Sequence, residues 1–312
     1  MTRLEQLMTS PRAWLADGGL ETAMIYHEGL DLPQFAAFTL LDRAEGRAAL
    51  TRYFESFLAL ARAAETGFVL DTATWRANMG WAGALGLDAA RIAAANRQAV
   101  TFAGELRALH EAATLPIVIN GVIGPAGDGY VIDRAMTQAE SEATHQVQAD
   151  AFAEAGVDLL SAVTMNYSAE AIGIARAAKR AGLVHVLSFT VETDGRLPSG
   201  QSLQDALAET EFETDGSALF YMVNCAHPSH FMQALSGPLG HRIGGLRANA
   251  SRLSHAELDV ATELDDGDPQ EFGRLYVEAA RLLPGLHLVG GCCGSDHRHV
   301  GAACTHLQRA AA

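Results

Sequence analysis

Short apolar stretches recur along the chain. Most end in polar or glycine residues and lead into an alanine-rich segment whose apolar positions repeat at helical spacing. The stretches cover residues 14–16, 68–70, 117–119, 159–163, 184–189, 219–223, 243–246 and 286–289. Eight strands alternating with helices is the arithmetic of an α/β (β/α)8 TIM barrel, and a doubly wound open sheet is the other architecture that the alternation allows. Residues 52–66 place Phe54, Phe57, Leu58 and Ala61 on one helical face, and residues 89–112 repeat Ile92, Val100, Leu106 and Leu109. A further helix is predicted over 138–156, ending at a glycine. Asp268-Pro269-Gln270-Glu271 offers an N-cap, a first-turn proline and a capping-box glutamate. Residues 18–51 and 192–202 read as long loops mounted on the barrel. No linker, charge block or repeat divides the chain, so residues 1–312 are expected to form one domain.

Composition narrows the function classes. A formal charge of -15 without any basic stripe argues against a nucleic-acid partner. Arg3, Glu5, Pro11 and Arg12 interrupt the start of the chain, and no later run approaches a membrane span, so a cytoplasmic protein without a membrane partner is expected. Four cysteines are too few for a disulfide framework at this length, and Cys304, on a predicted helix, is expected to pack. No glycine-rich nucleotide fingerprint or P-loop lysine is present.

The remaining three cysteines fall where barrel chemistry happens, at the carboxyl ends of strands. Cys225 follows the sixth stretch in Asn224-Cys225, and Cys292 and Cys293 follow the eighth in Gly290-Gly291-Cys292-Cys293-Gly294, where the glycines would let the backbone bend. Three thiolates are a sufficient protein set for Zn2+ with one position left open. A strained disulfide, a redox pair or plain burial are the alternatives that residue types alone leave standing. Asp17, Asp71, Thr72, Gly121 and Thr164 also sit at strand ends. Trp75 is placed to cover a cation with its ring face or to pack. His227, His297 and His299 lie near the cysteines in sequence but are left out of the metal set, since three sulfurs suffice.

These motifs, with Asp17-Gly18-Gly19-Leu20-Glu21-Thr22, Thr74-Trp75-Arg76-Ala77 and Gly121-Val122-Ile123-Gly124-Pro125, make the chain resemble the homocysteine S-methyltransferase family over nearly its whole length. The resemblance implies a barrel, zinc on Cys225, Cys292 and Cys293, and catalysis by methyl transfer from an onium donor to a small-molecule thiol. S-methylmethionine or S-adenosylmethionine as donor and homocysteine as acceptor are the pair it suggests. Asp17, Thr72, Thr74, Thr164 and Asn224 are the expected substrate-binding residues. One departure bears on the acceptor: where the family commonly has Glu-Thr after the fourth strand, this chain has Val163-Thr164, which removes a carboxylate that would hold an amino group. A different thiol or onium substrate, or a non-catalytic zinc or redox sensor, are the rival readings. Neither donor nor oligomeric state is set by the sequence.

Overall fold

The computed structural model describes residues 1–311. Eight parallel strands close into a barrel in chain order: β1 (Trp14–Leu15), β2 (Phe68–Asp71), β3 (Ile117–Ile123), β4 (Leu159–Met165), β5 (His185–Phe189), β6 (Tyr221–Asn224), β7 (Ile243–Ala248) and β8 (Leu288–Gly291). Pairing of Trp14 with Leu288 and Leu15 with Val289 joins β1 to β8, which excludes the open sheet. Main outer helices include Ala44–Ala63, Ala89–His110, Gln138–Ala155, Ser168–Arg180, Leu203–Thr214, Pro269–Leu282 and His297–Ala311.

Alternation along the strands sorts the core into two layers. Outward residues such as Leu15, Phe68, Leu70, Ile117, Ile119, Leu187 and Val289 join the helices in one large apolar cluster. Inward residues Trp14, Val69, Val118, Leu159, Val186, Met222 and Leu288 fill the lumen as a second cluster, which also contains Leu7 from the helix Arg3–Thr9. Leu7 is fully buried, and Arg3 of the same helix pairs with Glu111 just ahead of β3, so this helix plugs the amino-terminal mouth. Toward the carboxyl ends the inward side chains turn polar. Asn120 donates to Asp71 at 2.7 Å, Ser161 donates to Asn120 at 2.9 Å, and Ser188 donates to Asn224 at 2.6 Å. The barrel is therefore apolar below, polar and cross-linked above.

Several local expectations shift. The first outer helix starts at Ala44, eight residues ahead of the predicted 52, because Arg43 at its N-cap makes no side-chain cap for the sequence to advertise. The stretch before it is not one irregular loop: it holds helical turns at Leu20–Thr22, Ala23–His27, Pro33–Phe35 and Ala37–Asp42. Gln138–Ala155 ends as expected on Gly156, whose φ is 80°. Asp268 caps Gln270 with Pro269 in the first turn, but Glu271 does not close a capping box; it pairs with Arg252. Gly121 lies inside β3 and shapes no turn. A Cβ there would stand 2.7 Å from the Phe152 ring, so glycine lets the helix Gln138–Ala155 approach the strand. Cys304 lies on the last helix, packed against the main core. No helix among the described residues is long and apolar enough to cross a membrane.

Candidate active site and metal centre

Two turns deliver the sulfurs. Cys225 leaves β6 with a φ of 57°, a left-handed conformation that costs a non-glycine residue energy unless its surroundings hold it. Three donors grip its carbonyl: His255 Nε2 at 2.7 Å, Asn249 Nδ2 at 3.0 Å and Thr190 Oγ1 at 3.3 Å. The other turn follows β8. Gly290 and Gly291 are extended strand residues there, not bends: a Cβ on Gly291 would meet Ser295 Oγ at 1.9 Å, and one on Gly290 would meet the Asp17 carbonyl at 2.9 Å. Gly294 supplies the bend, at φ 76°.

The result is a cluster in which the three sulfurs all lie within 4.8 Å of one another. Cys225 Sγ is 2.9 Å from Cys292 Sγ and 3.6 Å from Cys293 Sγ, and all three cysteines are free thiols, so neither a vicinal nor a long-range disulfide is formed. A tetrahedral zinc with sulfur at about 2.3 Å sets its sulfurs about 3.8 Å apart. The Cys225–Cys293 spacing matches that, and the Cys225–Cys292 spacing needs a small outward rotation. The donor set therefore fits a metal. Its electrostatics point the same way. The Cys225 thiol is pushed well up by its contacts with Cys292 and Cys293 and by burial. For Cys292 the contact with Cys225 pulls down, yet Cys293 and burial carry it up to about 12. Cys293 is instead held well below the ordinary thiol value by its contacts with Cys225 and Cys292, so one of the three is a ready thiolate, and ionising all of them needs a cation in their midst.

Asn224 is the hub beneath this cluster. Its Oδ1 accepts from the Thr164 amide at 2.8 Å and from Ser188, while its Nδ2 donates to Thr164 Oγ1 at 2.9 Å and faces Cys292 Sγ at 3.9 Å. Thr164 itself sits inside β4, not after it, with φ 62° at a register shift between Ala162 and Met165. Two strained residues, Thr164 and Cys225, thus meet at one asparagine. Strain concentrated this way marks a site whose geometry is held by its surroundings.

The sulfurs lie in the wall of a cavity of about 300 Å³ at the carboxyl end of the barrel, which Asp17, Thr72, Thr164 and Asn224 also line. Thr74 does not line it. Its hydroxyl donates to the Val122 carbonyl at 2.7 Å and accepts from Thr72, so it ties the β2 loop to β3 behind the wall. Asp17 and Asp71 face inward, but Arg247 binds both: Nη2 meets Asp17 and Nη1 meets Asp71. Tyr53 donates to the second Asp17 oxygen at 3.0 Å, and Asn120 to the second Asp71 oxygen. Burial pushes the Asp17 carboxyl up to about 7, with Arg247 pulling against it. Val163 adds only an apolar side chain to the lining.

Several site residues escaped the sequence reading. Tyr130, in the loop after β3, directs its hydroxyl at Cys225 Sγ (3.2 Å) and Cys293 Sγ (3.5 Å) and stacks on His255 at 4.0 Å. His255 in turn faces Glu192 through Nδ1 at 2.8 Å. Arg247, one residue past the predicted seventh stretch, and Tyr130, in a loop, carried no signal in the sequence. The ring of Trp75 is covered, but by the protein's own Arg76. His227 caps the short helix Pro228–Phe231 through Ser229, His299 is held between Asp296 and the Asp266 carbonyl, and His297 is exposed, so none joins the sulfurs.

The sequence profile described as homocysteine S-methyltransferase matches residues 14–307. The chain belongs to the homocysteine S-methyltransferase family. It is an S-methyltransferase that acts on small molecules. Among solved structures it is similar to the homocysteine methyltransferase MmuM from Escherichia coli. The oxidized form has a TM-score of 0.77 at 20% identity, covering 97% of this chain and 99% of that one. The metallated form has a TM-score of 0.74 at 20% identity, covering 99% and 100%. At that identity the likeness establishes the barrel fold. A comparison with curated proteins returns no match.

Proposed function

We propose that this protein transfers a methyl group from a small sulfonium or other onium donor to a thiol, with homocysteine giving methionine as the leading acceptor and S-methylmethionine or S-adenosylmethionine as the leading donors. The observation that carries this reading is the convergence of Cys225, Cys292 and Cys293, from the ends of β6 and β8, in the wall of one cavity. Bound by those three sulfurs, zinc would supply the Lewis acidity that keeps an acceptor thiol ionised at neutral pH.

The chain's own contribution is placement. Methyl displacement needs the attacking sulfur, the methyl carbon and the leaving atom in line, so no general base has to reach the methyl group. Asn224 sets the pose of Cys292 and of the strained Thr164 turn. Tyr130 and His255 brace Cys225 from the opposite side.

A second reading, methylation of a different small thiol, is suggested by the positions at which the acceptor ammonium was expected, Glu21 being a separate carboxylate of the same cavity. Asp17 and Asp71 are both taken by Arg247, and Val163 brings no charge, so none of these three positions offers a free carboxylate to an acceptor ammonium. A panel of thiols assayed with each donor separates the readings. Selective turnover of homocysteine supports the first, and preference for a thiol lacking the amino group supports the second. Loss of turnover in Cys292→Ser is expected in both cases. Turnover that survives that change would remove the proposed chemistry altogether.

A further inference from the structure

Arg76 is a buried cation with no carboxylate in direct contact. It is 5% exposed, yet among the described residues it forms no ion pair. Its guanidinium is clamped between two indole rings, 4.0 Å from the centroid of Trp75 and 3.8 Å from that of Trp81. Trp81 is itself fixed by donation of its Nε1–H to the Pro125 carbonyl at 3.1 Å. Of the guanidinium nitrogens, Nη1 donates to the Gly127 carbonyl at 2.8 Å, while Nε is buried with no partner. Burial drags its pKa down to about 10, against the pull of Asp128 and Glu21, which is the signature of a cation whose desolvation is under-compensated. A free buried guanidinium is a costly feature, and removing its partner from such a pair destabilises strongly. In this fold the group lines the cavity that holds the sulfurs; Nε is shut away from it, while Nη2 makes no hydrogen bond to the described residues, and a guanidinium edge matches a carboxylate.

The same cavity holds the opposite charge. Asp17 and Asp71 are saturated by Arg247, Tyr53 and Asn120, and Asp128 accepts from the Tyr130 and Val131 amides. Glu21 lines the cavity with its own backbone amide as its only donor from the protein, and burial pushes its carboxyl up to about 7. Asp259 also lines the cavity but at its exposed rim, and Asp128 keeps its Oδ2 without a partner, so Glu21 is the half-buried carboxylate with no side-chain donor; with Arg76 in the same wall it matches a small molecule bearing both charges.

We propose that Arg76, held between Trp75 and Trp81, is the anchor for a substrate carboxylate, with Glu21 receiving the cationic end of the same zwitterion. This rests on the methyl-transfer reading above for what the zwitterion is: an onium carboxylate as donor, or an amino-acid thiol as acceptor.

The indoles flanking Arg76 make binding visible without turnover, since the remaining tryptophan, Trp14, lies in the barrel lumen. Zinc-loaded protein is titrated by tryptophan fluorescence with S-methylmethionine and its carboxamide, and separately with homocysteine and its carboxamide. One acid is expected to bind at least about 10-fold tighter than its amide, the scale of one charge-assisted contact, and that pair identifies which substrate Arg76 holds. In Arg76→Gln the preference should fall to within about 3-fold. Equal binding of acid and amide in both pairs, or a preference that survives in Arg76→Gln, overturns the assignment. Should Arg76→Gln not fold, the acid–amide comparison on the native protein still decides. Acid preference without methyl transfer would sink the methyl-transfer reading and spare the anchor; methyl transfer without acid preference would do the reverse.

Discussion

Arg247 is the most consequential single side chain outside the sulfur cluster, and Arg247→Met tests why. Its side chain is 9% exposed, and its two partners, Asp17 and Asp71, are 2% and 7% exposed, so solvent screening does little to soften the change. Methionine keeps much of the volume but strands two carboxylates in the upper barrel. Loss of one partner from a buried pair costs about 3–5 kcal/mol, which for a chain of this size lowers Tm by roughly 5–8 °C. The pH dependence carries the sharper signature. Burial already pushes Asp17 up to about 7, above the unfolded value near 4, with Arg247 as the chief opposing pull. A carboxyl raised in the folded state binds more protons there than when unfolded, so stability falls as pH rises through that window. Native protein should therefore lose stability from about pH 4 to 7 and then level off. Without Arg247 the Asp17 carboxyl stays protonated to higher pH. The variant should keep falling above pH 7, by up to about 1.4 kcal/mol per pH unit while Asp17 is still protonated. Urea unfolding at pH 6, 7, 8 and 9 measures both effects, and adding Asp17→Asn to the variant should recover part of the loss. Stability within about 1 kcal/mol of native, with parallel pH curves, would refute the buried-triad argument.

Gly294→Ala places a Cβ 2.8 Å from the Asp265 carbonyl at φ 76°, so it should cost about 1–2 kcal/mol and also lower the metal content, as measured by denaturation and elemental analysis. Leu7→Ala empties part of the barrel plug at a fully buried position and should cost about 2–5 kcal/mol while leaving KM for both substrates unchanged. A shift in KM with Leu7→Ala would mean that the lower barrel mouth communicates with the site.

The strands were legible because a buried parallel strand is a short apolar run, and eight of them interleaved with helices leave few architectures open. Their upper ends were not. In β7 the apolar run stops at Leu246, so Arg247, one residue farther along the same strand, fell outside the pattern that marked it. Buried polar residues such as Asn120, Ser188 and Asn224 are stable only through partners on neighbouring strands, and pairing across a barrel is not written in local sequence. The same holds for Thr164, whose left-handed backbone depends on Asn224, 60 residues away. Cysteines 225 and 292, 67 residues apart, could be joined in advance only by the barrel argument and the family resemblance. Tyr130 and Arg76 sit in loops without periodicity, and only the folded chain reveals what they face.

The central claim is that three sulfurs hold one metal ion and leave a corner for the acceptor thiol. X-ray absorption at the zinc edge of the loaded protein addresses it directly. The expected result is one zinc per chain with three sulfurs at about 2.3 Å and one lighter ligand, converting to four sulfurs when the acceptor thiol is added. A site that already holds four sulfurs without substrate, or one that stays unchanged when the thiol is added, would contradict the account.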